Sequence, residues 1–165
     1  MEIQRIFKHS ITGDLAVRAA FPARSLHAIE QAIRETEARH AGQIRFAVEA
    51  SLDLAALRRK QTASERAIEM FAQLRVWDTE HNNGVLIYLL LADRDVEIVA
   101  DRSIHAKVGT AGWEAICQDM EAAFRQGRFE AGVINGIHAV GNHLQRHFPG
   151  KPDTLNELPD QPVVV

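Results

Sequence analysis

Only one cysteine, Cys117, occurs among the 165 residues of the sequence. A single thiol cannot build an internal disulfide framework, so the chain fits a reducing compartment and not the disulfide-rich secreted class. Long apolar runs are missing as well, because the longest, Val85 to Ala92, is far too short to cross a bilayer. The opening residues also lack the apolar centre of a secretory signal. We therefore expect a cytoplasmic protein.

Charge of one sign and nucleotide-binding motifs are also scarce. The formal net charge of −3 offers no basic surface to a phosphate backbone, so we expect no nucleic-acid partner. The sequence has no GxxxxGKS/T loop, no GxGxxG, no GxSxG and no paired CxxC, which excludes the common nucleotide-binding and serine-hydrolase sites. Cys117 lies on an apolar helical stripe and lacks the strand–loop setting of a cysteine phosphatase, so a phosphatase built on this chain would need a metal.

The sequence does contain enough apolar residues for one packed domain, with 46% hydrophobic and 25% charged residues. The stretch from Trp77 to Asp101 organises this domain. Residues 85–91 are apolar at every position, which predicts a strand covered on both faces. The short turn at residues 92–95 then predicts an antiparallel hairpin partner over residues 96–100.

The segments before this hairpin alternate between helix and strand patterns. We predict a helix over residues 25–40 with Ser25 as its N-cap. A strand over residues 44–50 should lie nearer an edge than the centre of the sheet, because its alternate side chains are polar. A capping box of Thr62 and Glu65 opens the next helix, whose predicted buried face consists of Ile68, Phe71 and Leu74. A return of this length between strands predicts a parallel crossover.

Two apolar stripes with helical spacing close the domain, one from Trp113 to Phe124 and one from Phe129 to Phe148. The second stripe includes Gly132 and Gly136, which predict close packing against a neighbouring element because glycine weakens a helix. The expected fold class is α/β, a three-layer sandwich with a small mixed sheet and helices on both faces.

Two terminal segments flank the predicted domain. The N-terminal segment carries a short apolar stripe that also contains Lys8 and Arg18. This pattern is compatible with packing on the domain or with a membrane-surface helix, and the interruption of the stripe at Gly13 favours packing on the domain. In the last segment, residues 163–165 either stay loose or add a strand to an exposed sheet edge. The expected boundaries are 1–24 for an N-terminal arm, 25–148 for the domain and 149–165 for a C-terminal tail.

The hairpin and the last two helices carry a family resemblance. Asn83-Gly84 opens the apolar strand, Glu97-Ile98-Val99 ends the hairpin, and the segment MEAAFRQGRFEAGV supplies Met120, Phe124, Arg125, Gly127, Phe129 and Gly132. Over roughly residues 25–148 these features resemble the TPM-domain family. The resemblance implies a phosphatase-like hydrolase that acts on a phosphorylated substrate and uses a divalent cation, calcium or magnesium. The alternative is a non-catalytic module that binds an ion or a membrane-associated protein partner.

Strand direction indicates where a site would lie. The apolar strand starts where its antiparallel neighbour ends, so the turn before the first and the residues after the second should share one end of the sheet. Arg102 could bind phosphate oxygens through bidentate hydrogen bonds and His105 could transfer a proton, so these are the candidate catalytic side chains. Carboxylate and amide oxygens suit Ca²⁺ or Mg²⁺, and the predicted metal ligands at this end are Asp78, Asn82, Asn83 and Asp101. The same residues also have a purely structural interpretation, as turn formers and a helix cap.

Other polar residues form weaker candidates. Glu49 and Asp93 should lie together at the opposite end of the sheet, with Asp95 nearby, and could form a second carboxylate site. His143 and His147 have the i, i+4 spacing that places two imidazoles on one metal. No third ligand is evident for that pair, which favours a solvated helix face.

Overall fold

The structure is a computed structural model that describes residues 2–150 and 155–165. Its helices in chain order are α1 (Glu2–Ile11), α2 (Asp14–Ala20), α3 (Ala23–Glu37), α4 (Leu54–Arg58), α5 (Ala63–Gln73), α6 (Arg102–Arg125) and α7 (Phe129–His147). Its strands are β1 (Gln43–Glu49), β2 (Gly84–Leu90), β3 (Asp95–Ala100) and β4 (Val163–Val164). The capping box of Thr62 and Glu65 opens α5 as predicted.

The four strands form one mixed sheet in the order β3-β2-β1-β4. β1 runs parallel to β2, and β2 runs antiparallel to β3, which confirms the predicted parallel connection and hairpin. The register places Val85 opposite Ala100 and Leu90 opposite Asp95. The sheet therefore has an "Asp101 end", where β2 starts and β3 stops, and a "hairpin end" about 20 Å away along β2.

Helices cover both faces of this sheet, so the predicted three-layer α/β fold is confirmed. Side chains of β2 alternate between the two layers. The odd-numbered residues from Val85 to Leu89 join the core formed with α3, α6 and α7. The even-numbered residues from Leu86 to Leu90 pack with α4 and α5. All of β2 is consequently buried.

The prediction that β1 lies near an edge was wrong. The segment 155–165 covers the outer side of β1 and ends in β4, which pairs with β1 in parallel. Gln43 Oε1 accepts hydrogen bonds from the backbone N–H groups of Glu157 and Leu158, at 3.0 and 2.8 Å. The polar side chains of β1 are thus buried with partners and not exposed to solvent. Residues 151–154 of the predicted tail lie outside the described residues.

The start of α3 also differs from the prediction. The helix begins at Ala23, after Pro22, so Ser25 lies inside its first turn and is not the N-cap. The Ser25 hydroxyl is bonded to the carboxylate of Glu130 in α7 instead. A tertiary contact therefore uses the side chain that sequence reasoning assigned to helix capping.

Two further helices differ in their packing faces or limits. Ile68 of α5 is 58% exposed and Phe71 and Leu74 are only partly buried, because the helix turns a different face inward: Ala63, Ala67 and Met70. α6 begins at Arg102, well before the predicted stripe, and contains a break at Gly109 with φ 75° and ψ 166°. Only glycine adopts this conformation readily.

Glycines in α7 permit close helix packing, as predicted for Gly132 and Gly136. A Cβ on Gly136 would lie 2.4 Å from Met120 Sδ in α6. Gly141 is more tightly enclosed, because a Cβ there would lie 2.0 Å from Thr36 Oγ1 in α3. α7 therefore packs closely against both α3 and α6.

The N-terminal arm, formed by α1 and α2, packs on the domain through the buried side chain of Val17 and through polar contacts at the hairpin end. Arg5 donates to Asp93 Oδ2 and to the Gln61 carbonyl, both at 3.0 Å. His9 Nδ1 accepts the Leu52 N–H at 2.9 Å, and its Nε2 lies 3.1 Å from Asp93 Oδ1, off the line of a hydrogen bond. Across the described ranges, no helix is both long and apolar enough to span a bilayer.

Candidate functional site

The Asp101 end of the sheet brings together the two segments that strand direction places there. The Asp101 N–H donates to the Gly84 carbonyl at 2.9 Å, and the Ser103 N–H donates to the Asn82 carbonyl at 3.1 Å. Asn82 has a φ of 50°, a left-handed conformation that asparagine tolerates. The backbone after β3 therefore lies within hydrogen-bond distance of the turn before β2.

Asp101 caps α6, which confirms its structural interpretation. Its Oδ1 accepts the Arg102 N–H at 2.7 Å, and its carbonyl accepts the His105 N–H at 2.9 Å. The second carboxylate oxygen, Oδ2, is buried and has no hydrogen-bond partner. Because buried polar atoms are almost always satisfied, this oxygen calls for an explanation.

Asn83 presents a second oxygen of this kind. The residue is fully buried, and its Nδ2 donates to the Ala41 carbonyl in the α3–β1 loop at 3.3 Å. Its Oδ1 is buried and has no partner. A carboxylate oxygen and an amide oxygen at the same end of the sheet thus both lack donors, although they belong to different chain segments.

The remaining predicted site residues are exposed. Asp78 forms a surface ion pair with Arg75 at 2.8 Å, so its carboxylate already has a partner. Asn82 contributes its carbonyl to the bond with Ser103. Arg102 and His105 are exposed on the first turn of α6. The structure therefore joins the two backbone segments and leaves these side chains open to solvent.

Asp101 Oδ2 and Asn83 Oδ1 are both oxygens, the donor type that hard divalent cations prefer. In the ranges 2–150 and 155–165, no group of three or more His, Cys, Asp and Glu side chains could hold a metal ion. A cation here would consequently depend on one carboxylate, with amide, backbone or water oxygens as further ligands. Affinity for calcium rises with ligand charge, so this donor set predicts weak binding.

The carboxylates at the hairpin end have structural partners instead. Arg66 donates to both oxygens of Glu49, at 2.8 and 3.0 Å, and the Tyr88 hydroxyl donates to Glu49 Oε2 at 2.6 Å. Burial, together with the bond to Glu49, raises the pKa of Tyr88 and keeps the hydroxyl protonated. Asp93 is bound by Arg5 of the arm. Sequence patterns had not indicated either arginine, because only the three-dimensional packing brings them to these carboxylates.

A third group of carboxylates lies along β3 and α6 beside Cys117. Burial raises the pKa of Asp95 and Glu97, and the charge of nearby Glu121 raises both further. Burial, followed by Glu97 and Glu121, raises the pKa of Cys117 to about 12. The thiol is therefore not a nucleophile near neutral pH, in agreement with the sequence analysis.

His143 and His147, two of the three histidines of α7, are both partly buried, so the helix face that they share is less solvated than predicted. The His143 ring packs edge-on against Trp113, with 5.7 Å between ring centroids. Burial, followed by the charge of His147, lowers the pKa of His143. Packing against Trp113 thus accounts for the position of this imidazole.

Comparison with known protein families shows to which family this chain belongs. Residues 19–143 match the TPM domain family. The chain belongs to this family. The match includes the hairpin and most of the last two helices, so the resemblance carried by those segments is confirmed. Among curated proteins, none matches this TPM domain significantly.

Several solved structures are similar to this TPM domain. The NMR structure of the BA42 protein from the psychrophilic bacterium Bizionia argentinensis is 30% identical with a TM-score of 0.77, and the match covers 88% of this chain and 95% of that one. The solution NMR structure of the N-terminal domain of a protein from P. gingivalis is 18% identical with a TM-score of 0.62, over 78% of this chain and 81% of that one. The second likeness shows the fold alone.

Proposed function

We propose that this TPM domain binds a divalent cation at the Asp101 end of the sheet, with Asp101 Oδ2 as the charged ligand. The observation that best supports the proposal is that this oxygen is buried and has no hydrogen-bond partner. Leaving a buried acceptor unsatisfied costs about 1–3 kcal/mol, and more when the group is charged. A cation bound to the oxygen would offset that cost.

Further ligands are available from the turn before β2. Asn83 Oδ1 is the second buried oxygen without a donor. Asp78 would become available if its exposed ion pair with Arg75 opened, and such surface pairs contribute little stability, about 0–1 kcal/mol. Ca²⁺ takes about 6–8 oxygen ligands, so water would complete its shell.

The substitution Asp101→Asn tests the proposal cleanly. Asparagine caps a helix about as well as aspartate, so the fold should be retained while the charge is removed. Titration of the purified protein with Ca²⁺ and Mg²⁺, followed by calorimetry and by the melting temperature, should show cation-dependent stabilisation of the wild type. In Asp101→Asn the affinity should fall at least about tenfold, equivalent to 1.4 kcal/mol.

Asp53→Asn is the matched control. Asp53 caps α4 and accepts the Ala56 N–H at 2.7 Å, so the variant makes the same chemical change at a second helix N-cap. It should bind cations as the wild type does. The proposal fails if the wild type shows no cation response, or if both variants lose affinity equally.

Phosphoester hydrolysis is a second candidate function at the same place. Arg102 and His105 are exposed on the turn of α6 that Asp101 caps, so the protein does not shield either side chain from a substrate at this end. Arginine binds phosphate oxygens in a bidentate manner, and histidine transfers protons near neutral pH. A divalent cation at Asp101 would polarise a phosphate or activate water.

Hydrolysis can be tested separately from binding with p-nitrophenyl phosphate. Turnover that requires added cation and falls at least about tenfold in both Asp101→Asn and His105→Asn would support it, a range typical of general acid–base contributions. A wild-type protein that binds the cation and shows no turnover would instead be a non-catalytic cation-binding module.

A further inference from the structure

A cleft of about 480 Å³ opens between the N-terminal arm and the hairpin end of the sheet. This volume lies within the range of small-molecule sites, about 300–1,000 Å³. α1 and α2 form one wall, and the β2–β3 turn and the start of α7 form the other. The cleft is about 20 Å from the Asp101 end along β2, so it is separate from the proposed cation site.

The interior of the cleft is largely apolar and built from small side chains. Its apolar lining consists of Ala16, Ala19 and Ala20 of α2 together with Leu91, Ala92 and Phe129. Such a floor favours the apolar part of a ligand, because covering it removes hydrocarbon surface from water.

Two cationic side chains, Lys8 and Arg94, line the same cleft. Neither has an ion-pair partner among the described residues. Arg94 instead lies over the Phe129 ring, with its guanidinium carbon 5.9 Å from the ring centroid. Asp93, the carboxylate next to Arg94 in the chain, is already bound by Arg5. The cleft therefore combines two uncompensated positive charges with an apolar floor.

We infer that this cleft binds a small amphiphilic anion, in which a phosphate or carboxylate group is joined to a short apolar body. The anionic group would receive charge-assisted hydrogen bonds from Lys8 and Arg94, and the apolar body would cover the floor. A neutral ligand would leave both cations unused, and an inorganic anion would leave the floor uncovered. Charge and shape thus select a ligand that has both parts.

Two sources could supply this chemistry, a soluble metabolite or the head group of an anionic phospholipid. The arm that forms the cleft wall also exposes apolar side chains to solvent: Ile3 at 82%, Phe7 at 65% and Ile11 at 67%. A membrane surface would cover these side chains, whereas a soluble ligand would not. The experiment therefore needs a separate assay for each source.

Hexyl phosphate is a suitable soluble probe, with hexanol and inorganic phosphate as partial probes. In two-dimensional NMR spectra of the full chain, hexyl phosphate should shift the amides of residues 8–20 and 91–94. It should bind at least about tenfold more tightly than either partial probe, because each of them lacks one of the two interactions.

Variants at the cations decide whether binding occurs in the cleft. Lys8→Gln and Arg94→Asn should each weaken binding about three- to tenfold, and asparagine suits the left-handed φ of 54° at position 94. Ala19→Trp should block the cleft without changing its charge. Arg18→Gln, which removes a charge from an exposed residue of the same arm outside the cleft, should bind as the wild type does.

Vesicles distinguish the two sources. Binding to phosphatidylglycerol vesicles and not to phosphatidylcholine, weakened by Lys8→Gln and competed by hexyl phosphate, would identify a phospholipid head group. Binding of hexyl phosphate alone would identify a soluble ligand. The inference is overturned if hexyl phosphate leaves the cleft amides unshifted, or if Arg18→Gln weakens binding as much as the two cation variants.

Discussion

Arg66 should stabilise the fold far more than an exposed arginine does. The side chains of Glu49 and Arg66 are only 9% and 18% exposed, and two hydrogen bonds join them. Arg66→Met keeps most of the apolar stem but leaves the Glu49 carboxylate buried, with Tyr88 as its remaining side-chain donor. Breaking a buried pair from one side costs about 3–5 kcal/mol. Because Tyr88 still satisfies one oxygen, we expect a loss of about 3 kcal/mol.

The double variant Arg66→Met/Glu49→Gln separates lost charge pairing from lost packing. Glutamine removes the buried charge and still offers an oxygen to the Tyr88 hydroxyl. If the unpaired charge causes the loss, the double variant should recover about 2 kcal/mol relative to Arg66→Met, since neutral replacements of buried ion pairs are well tolerated. Purely lost packing would predict no recovery.

Urea unfolding at neutral pH measures these differences directly. Arg58→Met is the control, because Arg58 is exposed on α4 and its replacement should change the unfolding free energy by less than about 0.5 kcal/mol. A loss below about 1 kcal/mol in Arg66→Met would refute the reasoning. So would a double variant that is no more stable than Arg66→Met.

Two further predictions concern other contacts of α3. Burial, with a contribution from Asp160, raises the pKa of Glu37 to about 9 from 4.5, so the folded state holds a proton that the unfolded state releases. The contribution of Glu37 to the free energy of unfolding should therefore be greatest below about pH 4.5 and be lost as the pH rises toward 9. In urea unfolding across this pH range, Glu37→Gln should show a smaller decline in stability than the wild type. Gly141→Ala should destabilise by about 1–3 kcal/mol because its Cβ would lie 2.0 Å from Thr36 Oγ1. That cost should shrink or reverse in a Thr36→Ala background, and an unchanged cost would contradict the clash.

Apolar patterns were sufficient to predict the layers of this fold. Residues 85–91 are apolar throughout, and a strand of that kind has to be covered on both faces. The same reasoning from apolar patterns gave the wrong position for β1, because this strand contains polar residues. Arg45 is bonded to the Pro159 carbonyl, and Glu49 to Arg66, so the strand looked like an edge while it was buried. Partners more than a hundred residues away, such as Pro159, leave no local signal.

The candidate site was predictable only as far as backbone direction determines it. The antiparallel pairing of β2 and β3 was enough to place Asp101 beside the turn that contains Asn82. Side-chain partners were not predictable, because the Asp78 ion pair depends on the conformation of the turn and the Asn83 contact depends on the α3–β1 loop. The sequence analysis also missed the first turns of α6. Ile104 is the only fully buried apolar residue between the start of this helix and its break at Gly109, so the segment has no apolar stripe that would predict a helix.

The position of a bound cation tests the central claim most directly. Mn²⁺ takes the same oxygen ligands as Mg²⁺ and broadens the NMR signals of nearby amides. At a small fraction of one equivalent, we predict that the amides of Asn82, Asn83 and Asp101 broaden first in the wild type and remain sharp in Asp101→Asn. Broadening centred on Glu97 and Glu121, where carboxylates lie near one another, or unchanged broadening in Asp101→Asn, would contradict a cation site at Asp101.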